Sequence, residues 1–439
     1  MRHASSIPFN VSAPALLACL AATACHESTT PTVDPTVTLG TSAAWAGSAL
    51  VLKATGLSGA DTLAVVVIGN DTVAVRYAAP DSLIAAAPDT QGTFTVRVGL
   101  RGRDLRSVGT IELSGGFSGV WTVSPVGGHP VAWPGGTQGR FAIALDSGLA
   151  ELDPTLQSTV RVLPDSLFSI NCINGTGPAA GGRLTVEGSR PYPVFCGPLL
   201  AVRPDSPGVA PDTGPSGTGA RFATQLAPGR WLVAAHHSVN SYFRDGSGAW
   251  VTATTPYHVE EPYEVAVSPG GDRAVVLGRD QAGIGMPVFG LTSPEPVYLL
   301  AQYHILAGAQ FSANGDTLFV VAYRALTDTA PVIAALAASD GSELRSAPAW
   351  GGAYHLVLDP SQPWIYLVGH ESPWDAPKVH VYDRATFAWV ATLAGRAPDY
   401  MNGDANPVLS AATRKLYLVE SCSFCSAGSV PVFTFDLTP

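Results

Sequence analysis

Charged side chains are scarce in this 439-residue chain, at 13% of the total, and no run of Lys or Arg appears anywhere in it. Acidic residues outnumber basic ones, 34 to 24, for a formal net charge of −10. Such a chain has no cationic stripe with which to displace counterions from phosphate, which argues against a nucleic-acid partner. Signatures of familiar chemistry are missing as well. There is no GxSxG, no HExxH, no P-loop and no dinucleotide fingerprint. Haem attachment through CxxCH is absent, which leaves little support for electron transfer. Runs of strong helix formers are few, whereas Gly (46) and Pro (36) abound, so strands and turns are expected.

The N-terminus reads "MRHASSIPFNVSAPALLACLAATAC". Arg2 and His3 precede an apolar stretch that ends in small residues, the layout of a secretory signal, and the apolar core is too short to cross a bilayer. "AATAC" resembles the lipobox of bacterial lipoproteins, although a leucine is more usual where Ala22 stands. That resemblance implies removal of residues 1–24 and acylation of Cys25, with 25–34 as a polar tether that cannot bury enough apolar surface to fold. Cys19 is a poorer anchor because its apolar run is very short, and an ordinary signal peptide with incidental cysteines is the competing reading. The expected location is the periplasmic or cell-surface side of a bacterial membrane, held there by the lipid.

Export would leave Cys172, Cys196, Cys422 and Cys425, an even number in an oxidising compartment, most simply two disulfides. "SCSFCS" could be half of a zinc site, but no second CxxC and no nearby His pair completes it. No metal and no cofactor is expected.

One pattern recurs downstream. Gln225, Ser268, Ser312, Asp359 and Ser410 each follow a short apolar strand, open a turn, and lead into a second strand such as "WIYLV" or "LYLVE". These are hairpins in which Gly271 and Gly315 are suited to positive φ. Between them run strands that end on a turn residue: Asp165, Asp205, Asp245, Thr292, Asp340, Asp383 and Asp436. Four strands at a period of roughly 46 residues are the sequence form of a β-propeller. Seven blades fit residues 118–439, with six or eight left open because the first two hairpins are poorly marked. After Asp436 only three residues remain, so the last blade lacks an outer strand, and "GVWTVSP" near residue 120 is the expected donor.

The unit "YLVGHESPWDAPKVHVYDRATFAWVATLAG", followed by "ANPVLSAATRKLYLV", is similar to the YVTN family of propeller repeats, and "PYEVAVSPGG" at 262–271 matches the end of that unit. The resemblance covers roughly 219–439 and implies strands and turns, not chemistry. Residues 35–113 alternate apolar and polar positions between Gly and Pro turns. They resemble an IPT/TIG-type domain, an Ig-like sandwich, with Gly115 and Gly116 at the join. The expected fold class is therefore all-β: an Ig-like sandwich followed by a seven-bladed propeller.

A propeller's usual ligand site is the mouth of its channel. Four residues before the hairpin openers stand Arg221, Glu264, Gly308, His355 and Asn406, a mixed polar set that could hold a zwitterionic or sugar-acid ligand. The alternative is that they bind channel water and backbone. His236 and His237 are adjacent on a strand and point to opposite faces, so a structural or loop role is expected. His258 and His304 could share a metal with Glu260 or Glu261, or simply be exposed. Trp350, Trp364 and Trp374 could stack on a sugar or peptide, or pack between blades. The functional expectation is an exported, lipid-anchored, monomeric binding or scaffold module at the cell envelope, with a protein, glycan or small molecule as ligand. The alternative is a lactonase-like propeller enzyme acting on a sugar lactone, which rests on fold and so carries little weight.

Overall fold

The computed structural model describes residues 35–126 apart from 58–63, 80, 89 and 101–103, the strand segments between 132 and 234, and residues 238–438 apart from 253–256, 281–282, 291–294, 372–374, 396–404 and 421–427. All six cysteines, Arg221, His236, His237 and Trp374 lie outside the described residues.

The first nine strands are β1 (Thr36–Leu39), β2 (Ala43–Trp45), β3 (Ala49–Thr55), β4 (Val65–Ile68), β5 (Asp71–Val73), β6 (Val75–Ala79), β7 (Ser82–Ala86), β8 (Gly92–Gly99) and β9 (Arg106–Ser114). They form two sheets, ordered β1-β3-β7-β6 and β2-β9-β8-β4-β5, antiparallel except for β2 beside β9. The strand period of two explains why they pack as a sandwich. Along β3, Leu50, Leu52 and Ala54 are buried while Val51, Lys53 and Thr55 face solvent. The buried set meets Val66, Ile68, Leu83, Val96, Ile111 and Leu113 in one core.

Only Gly115 separates β9 from β10 (Gly116–Val126). Gly115 has φ +61°, and a Cβ there would lie 2.1 Å from the carbonyl oxygen of Thr438, so no other residue fits the crossing.

Then come β11 (Ala132–Pro134), β12 (Phe141–Leu145), β13 (Gly148–Asp153) and β14 (Ser158–Pro164), an antiparallel meander. Two hairpins follow, β15 (Arg183–Glu187) with β16 (Arg190–Tyr192), and β17 (Pro198–Ala201) with β18 (Asp212–Ser216). The meander returns in β19 (Phe222–Ala227), β20 (Arg230–Ala234), β21 (Val239–Arg244) and β22 (Trp250–Thr252). It repeats in β23 (Glu260–Val267), β24 (Arg273–Arg279), β25 (Met286–Gly290) and β26 (Pro296–Leu300), and again in β27 (Ile305–Phe311), β28 (Thr317–Tyr323), β29 (Val332–Ala337) and β30 (Glu343–Pro348). Next are β31 (Ala353–Leu358), β32 (Trp364–Gly369), β33 (Lys378–Asp383) and β34 (Trp389–Ala394). The last unit has three strands of its own, β35 (Ala405–Ser410), β36 (Lys415–Glu420) and β37 (Gly428–Asp436), and β10 pairs antiparallel with β37 as its fourth. The first strands are neighbours in chain order, β11 beside β15 and so on to β31 beside β35, and β35 lies beside β11. The chain is all-β, the class expected from its sequence.

The turn chemistry is the one its spacing announces. Ser268 Oγ accepts the N–H of Arg273 at 3.0 Å, and Ser312 Oγ accepts that of Thr317 at 3.0 Å. Gly271 and Gly315 have φ of 69° and 79°. Asp383 Oδ1 accepts the N–H groups of Ala385 (3.0 Å) and Thr386 (2.7 Å), which explains the Asp that ends β33. Cores lie between the faces of successive sheets and contain the fully buried Trp231, Phe289, Tyr303, Tyr366, Phe433 and Phe435.

Trp45 belongs to the sandwich by sequence and to the later sheets by packing. It is 3% exposed, sits in a cluster with Tyr366, Val368, Phe435 and Leu437, and meets Trp364 edge-on at 5.9 Å. The joint between the two parts is thus a continuous strand connection and a buried indole.

Candidate binding site at the inner-strand rim

Glu264, Gly308, His355 and Asn406 stand on β23, β27, β31 and β35. Each is paired with the fifth residue of the strand that follows: Leu277, Val321, Val368 and Val419. They occupy one level of the fold. In β23, β27 and β31 the register shifts directly before that residue. A bulge at this point breaks the ladder and re-aims the backbone. In β19 the same level, opposite Ala234, is held by Phe222.

The structure brings Gly308 and His355 together. A Cβ at Gly308 would lie 2.7 Å from the backbone nitrogen of Leu356 and 3.0 Å from the carbonyl carbon of His355. Gln310 Oε1 accepts the N–H of Leu358 at 2.7 Å and ties β27 to β31. His355 is consequently buried, at 4% exposure, instead of lining an open mouth. For Glu264 and Asn406 the backbone level is described and the side chain is not.

A second polar group lies where second strands end and first strands begin. Asp280 follows β24 and is fully buried, its carboxylate accepting the N–H groups of Gly283 (3.1 Å) and Gly285 (2.6 Å). His304, just before β27, sets Nδ1 3.4 Å from Asp280 Oδ2, and its carbonyl accepts the Asp280 N–H at 2.7 Å. Tyr257 is close enough that burial first, then the charges of Glu295 and Asp280, push its phenol up. The sequence suggested His258 and Glu260 or Glu261 as companions of His304, and the structure sets Asp280 beside it. His258 is exposed. Among the described residues no group of three His, Cys, Asp or Glu side chains could hold a metal ion.

Asp280 is the site residue that repeat reading missed. The signal is positional, because the residue after the second strand is polar in three successive units: Asp280, Arg324 and His370. Arg324 Nη2 donates to both carboxylate oxygens of Glu343 at 3.0 and 2.9 Å, and Tyr303 Oη donates to Glu343 Oε2 at 2.6 Å. Burial alone would raise the Glu343 carboxyl, but the bonds from Ser346, Tyr303 and Arg324 outweigh it and hold it low. His370 Nδ1 lies 2.7 Å from the carbonyl of Asp375, and its ring meets Tyr354 at 5.5 Å. At this level positive, negative and aromatic groups are each oriented by a partner; Asp280 and His370 are buried, and Arg324 is exposed. Of the tryptophans, Trp364 packs on Trp45 and Trp350 stacks on His380 at 4.1 Å. Comparison with the models of known protein families and with curated proteins matches none of them to this chain.

Proposed function

We propose that the chain is an exported, lipid-anchored binding module of the bacterial cell envelope, with an IPT/TIG-like sandwich carrying a seven-bladed propeller of YVTN type. The observation that supports this most is the joint. A single glycine between β9 and β10, and Trp45 buried among Tyr366, Val368 and Phe435, leave no free hinge between sandwich and propeller. A stiff two-part body on a short polar tether suits presentation of a surface at a fixed distance from a membrane. Arg324, exposed at this level and oriented by Glu343, supplies a polar contact for a protein, glycan or small molecule, and no cofactor enters the reading.

Acylation of Cys25 tests it. The natural chain should fractionate with membranes and take up a labelled fatty acid, because buried acyl carbons supply the attachment. Cys25→Ser should be released and unlabelled. A Cys25→Ser protein that stays acylated and membrane-bound would refute the anchor.

The Asp280–His304 pair favours a second reading, a lactonase-like hydrolase. A carboxylate 3.4 Å from a histidine Nδ1 is the pairing a general base uses. Hydrolysis of δ-gluconolactone by the natural chain, lost in His304→Gln, would support that reading. Equal rates in the two proteins would remove it.

A further inference from the structure

A cleft of about 470 Å³ lies between the sandwich and the outer strands β33 and β34. Its two walls differ in chemistry. The sandwich side is small and apolar, with Val73, Ala74 and Pro88. The opposite side carries Glu371, Lys378, His380, Trp389 and Thr392. Cross-strand pairing explains why these polar groups share a face. Lys378 and His380 are two apart on β33, and His380 stands opposite Thr392 on β34. Val379 and Val381, which alternate with them, are buried in the core behind.

Each polar group is held in place. Lys378 Nζ lies 2.8 Å from Glu371 Oε2. Trp389 Nε1 donates to Thr392 Oγ1 at 3.2 Å, which fixes the indole. The His380 ring lies parallel to Trp350, 6° between planes, which fixes the imidazole. The ion pair makes this wall a donor and an acceptor side by side, with no net charge from Lys378 and Glu371 together.

We propose that this cleft is a saccharide site, taking a neutral disaccharide. Ligand pockets run from roughly 300 to 1,000 Å³ and favour domain interfaces, and this cleft meets both conditions. A pyranose has one face of C–H groups and a rim of hydroxyls that both donate and accept. The C–H face matches the indole of Trp389 and the small apolar wall. The hydroxyl rim matches the Lys378–Glu371 pair, which offers both senses of hydrogen bond within 2.8 Å. A strongly anionic ligand would be repelled by Glu371, and a purely apolar one would leave the ion pair desolvated. The site needs only the contact between sandwich and propeller, so it stands whether or not Cys25 is acylated.

The test is titration of the purified full chain with cellobiose, maltose and N,N′-diacetylchitobiose, read by tryptophan fluorescence and by calorimetry. At least one disaccharide should bind saturably. Ala74 is exposed, the single residue between β5 and β6, so Ala74→Trp fills the cleft from an exposed position. It should weaken binding at least about tenfold with an unchanged melting midpoint. Glu371→Gln, also at an exposed position, should weaken it by about fivefold. No saturable binding of any of the three at about 10 mM overturns the proposal. So does natural affinity in both variants. If Ala74→Trp lowers the midpoint, Glu371→Gln decides alone.

Discussion

The indole Nε1 of Trp121 donates a hydrogen bond to Thr434 Oγ1 at 3.3 Å, across 313 positions of sequence. Trp121 sits on β10 opposite Val432, in a strand that runs directly out of the sandwich, and Thr434 sits on the last strand of the chain. One strand therefore completes the final sheet and joins the two parts of the molecule. Without it β37 would present an unpaired edge, which is a template for association. Trp121→Phe removes the bond and part of the ring, and should cost about 1–2 kcal/mol by chemical denaturation. Trp121→Ala should cost about 3–5 kcal/mol.

Trp45 predicts a different kind of failure. Trp45→Ala should destabilise by about 3–5 kcal/mol, and its effect should fall on the coupling between the sandwich and the sheets that follow it. Scanning calorimetry should show the natural chain's transition split, with the sandwich melting separately.

Acid sensitivity is predicted at Asp359, which is fully buried. Its carboxylate accepts Tyr366 Oη at 2.6 Å, Arg414 Nη1 at 2.6 Å and the Ser361 N–H at 2.9 Å. Burial alone would raise this carboxyl, but bonds from Tyr366, Ser361 and Arg414 outweigh it and hold it below the usual range. A depressed folded value means the stabilisation is present above the unfolded value, about 3.9, and is lost as pH falls below it. Arg414→Met should cost about 3 kcal/mol near neutrality and move acid unfolding to higher pH. Denaturant midpoints measured from neutral pH downward check both.

Alkaline sensitivity has the opposite sign. Burial chiefly pushes Tyr298 up to about 12, and raises Tyr303 and Tyr366 further, with Glu343 and Asp359 adding to the latter two. A raised folded value means stability is full below the unfolded phenol value, about 10, and falls as pH rises through the folded one. Tyr298→Phe loses a 2.8 Å bond to the Ala338 carbonyl, should cost about 1 kcal/mol at neutral pH, and should reduce the loss above pH 10 or so. Phenolate absorbance followed during unfolding reads this directly.

Gly308→Ala tests the inner-strand rim. The added methyl would meet the Leu356 backbone nitrogen at 2.7 Å, so β27 and β31 must part. The cost should be about 1–3 kcal/mol, with faster hydrogen exchange at Leu358, whose N–H bonds Gln310.

What the sequence made legible follows from where each signal lives. Ser268, Ser312 and Asp383 were readable because a turn places its demand on residues within five positions of itself. The role of β10 was readable because the final unit is one strand short. Glu264, Gly308, His355 and Asn406 stand at one level because repeats keep their spacing even where side chains vary. Asp280 escaped because its partner His304 lies in the next unit and nothing local requires the pairing. Trp45 escaped for a related reason. An apolar residue on β2 fits the sandwich core equally well by alternation, and only the fold sends it into the neighbouring sheets. The cleft beneath Ala74 was invisible because its walls are more than 300 residues apart in part of their lining.

The most direct test of the account is thermal melting, with sedimentation, of the chain lacking residues 117–125. If β10 completes the last sheet, this protein should lose the single cooperative transition and associate through the exposed edge of β37. A monomer that melts cooperatively at the natural midpoint would contradict it.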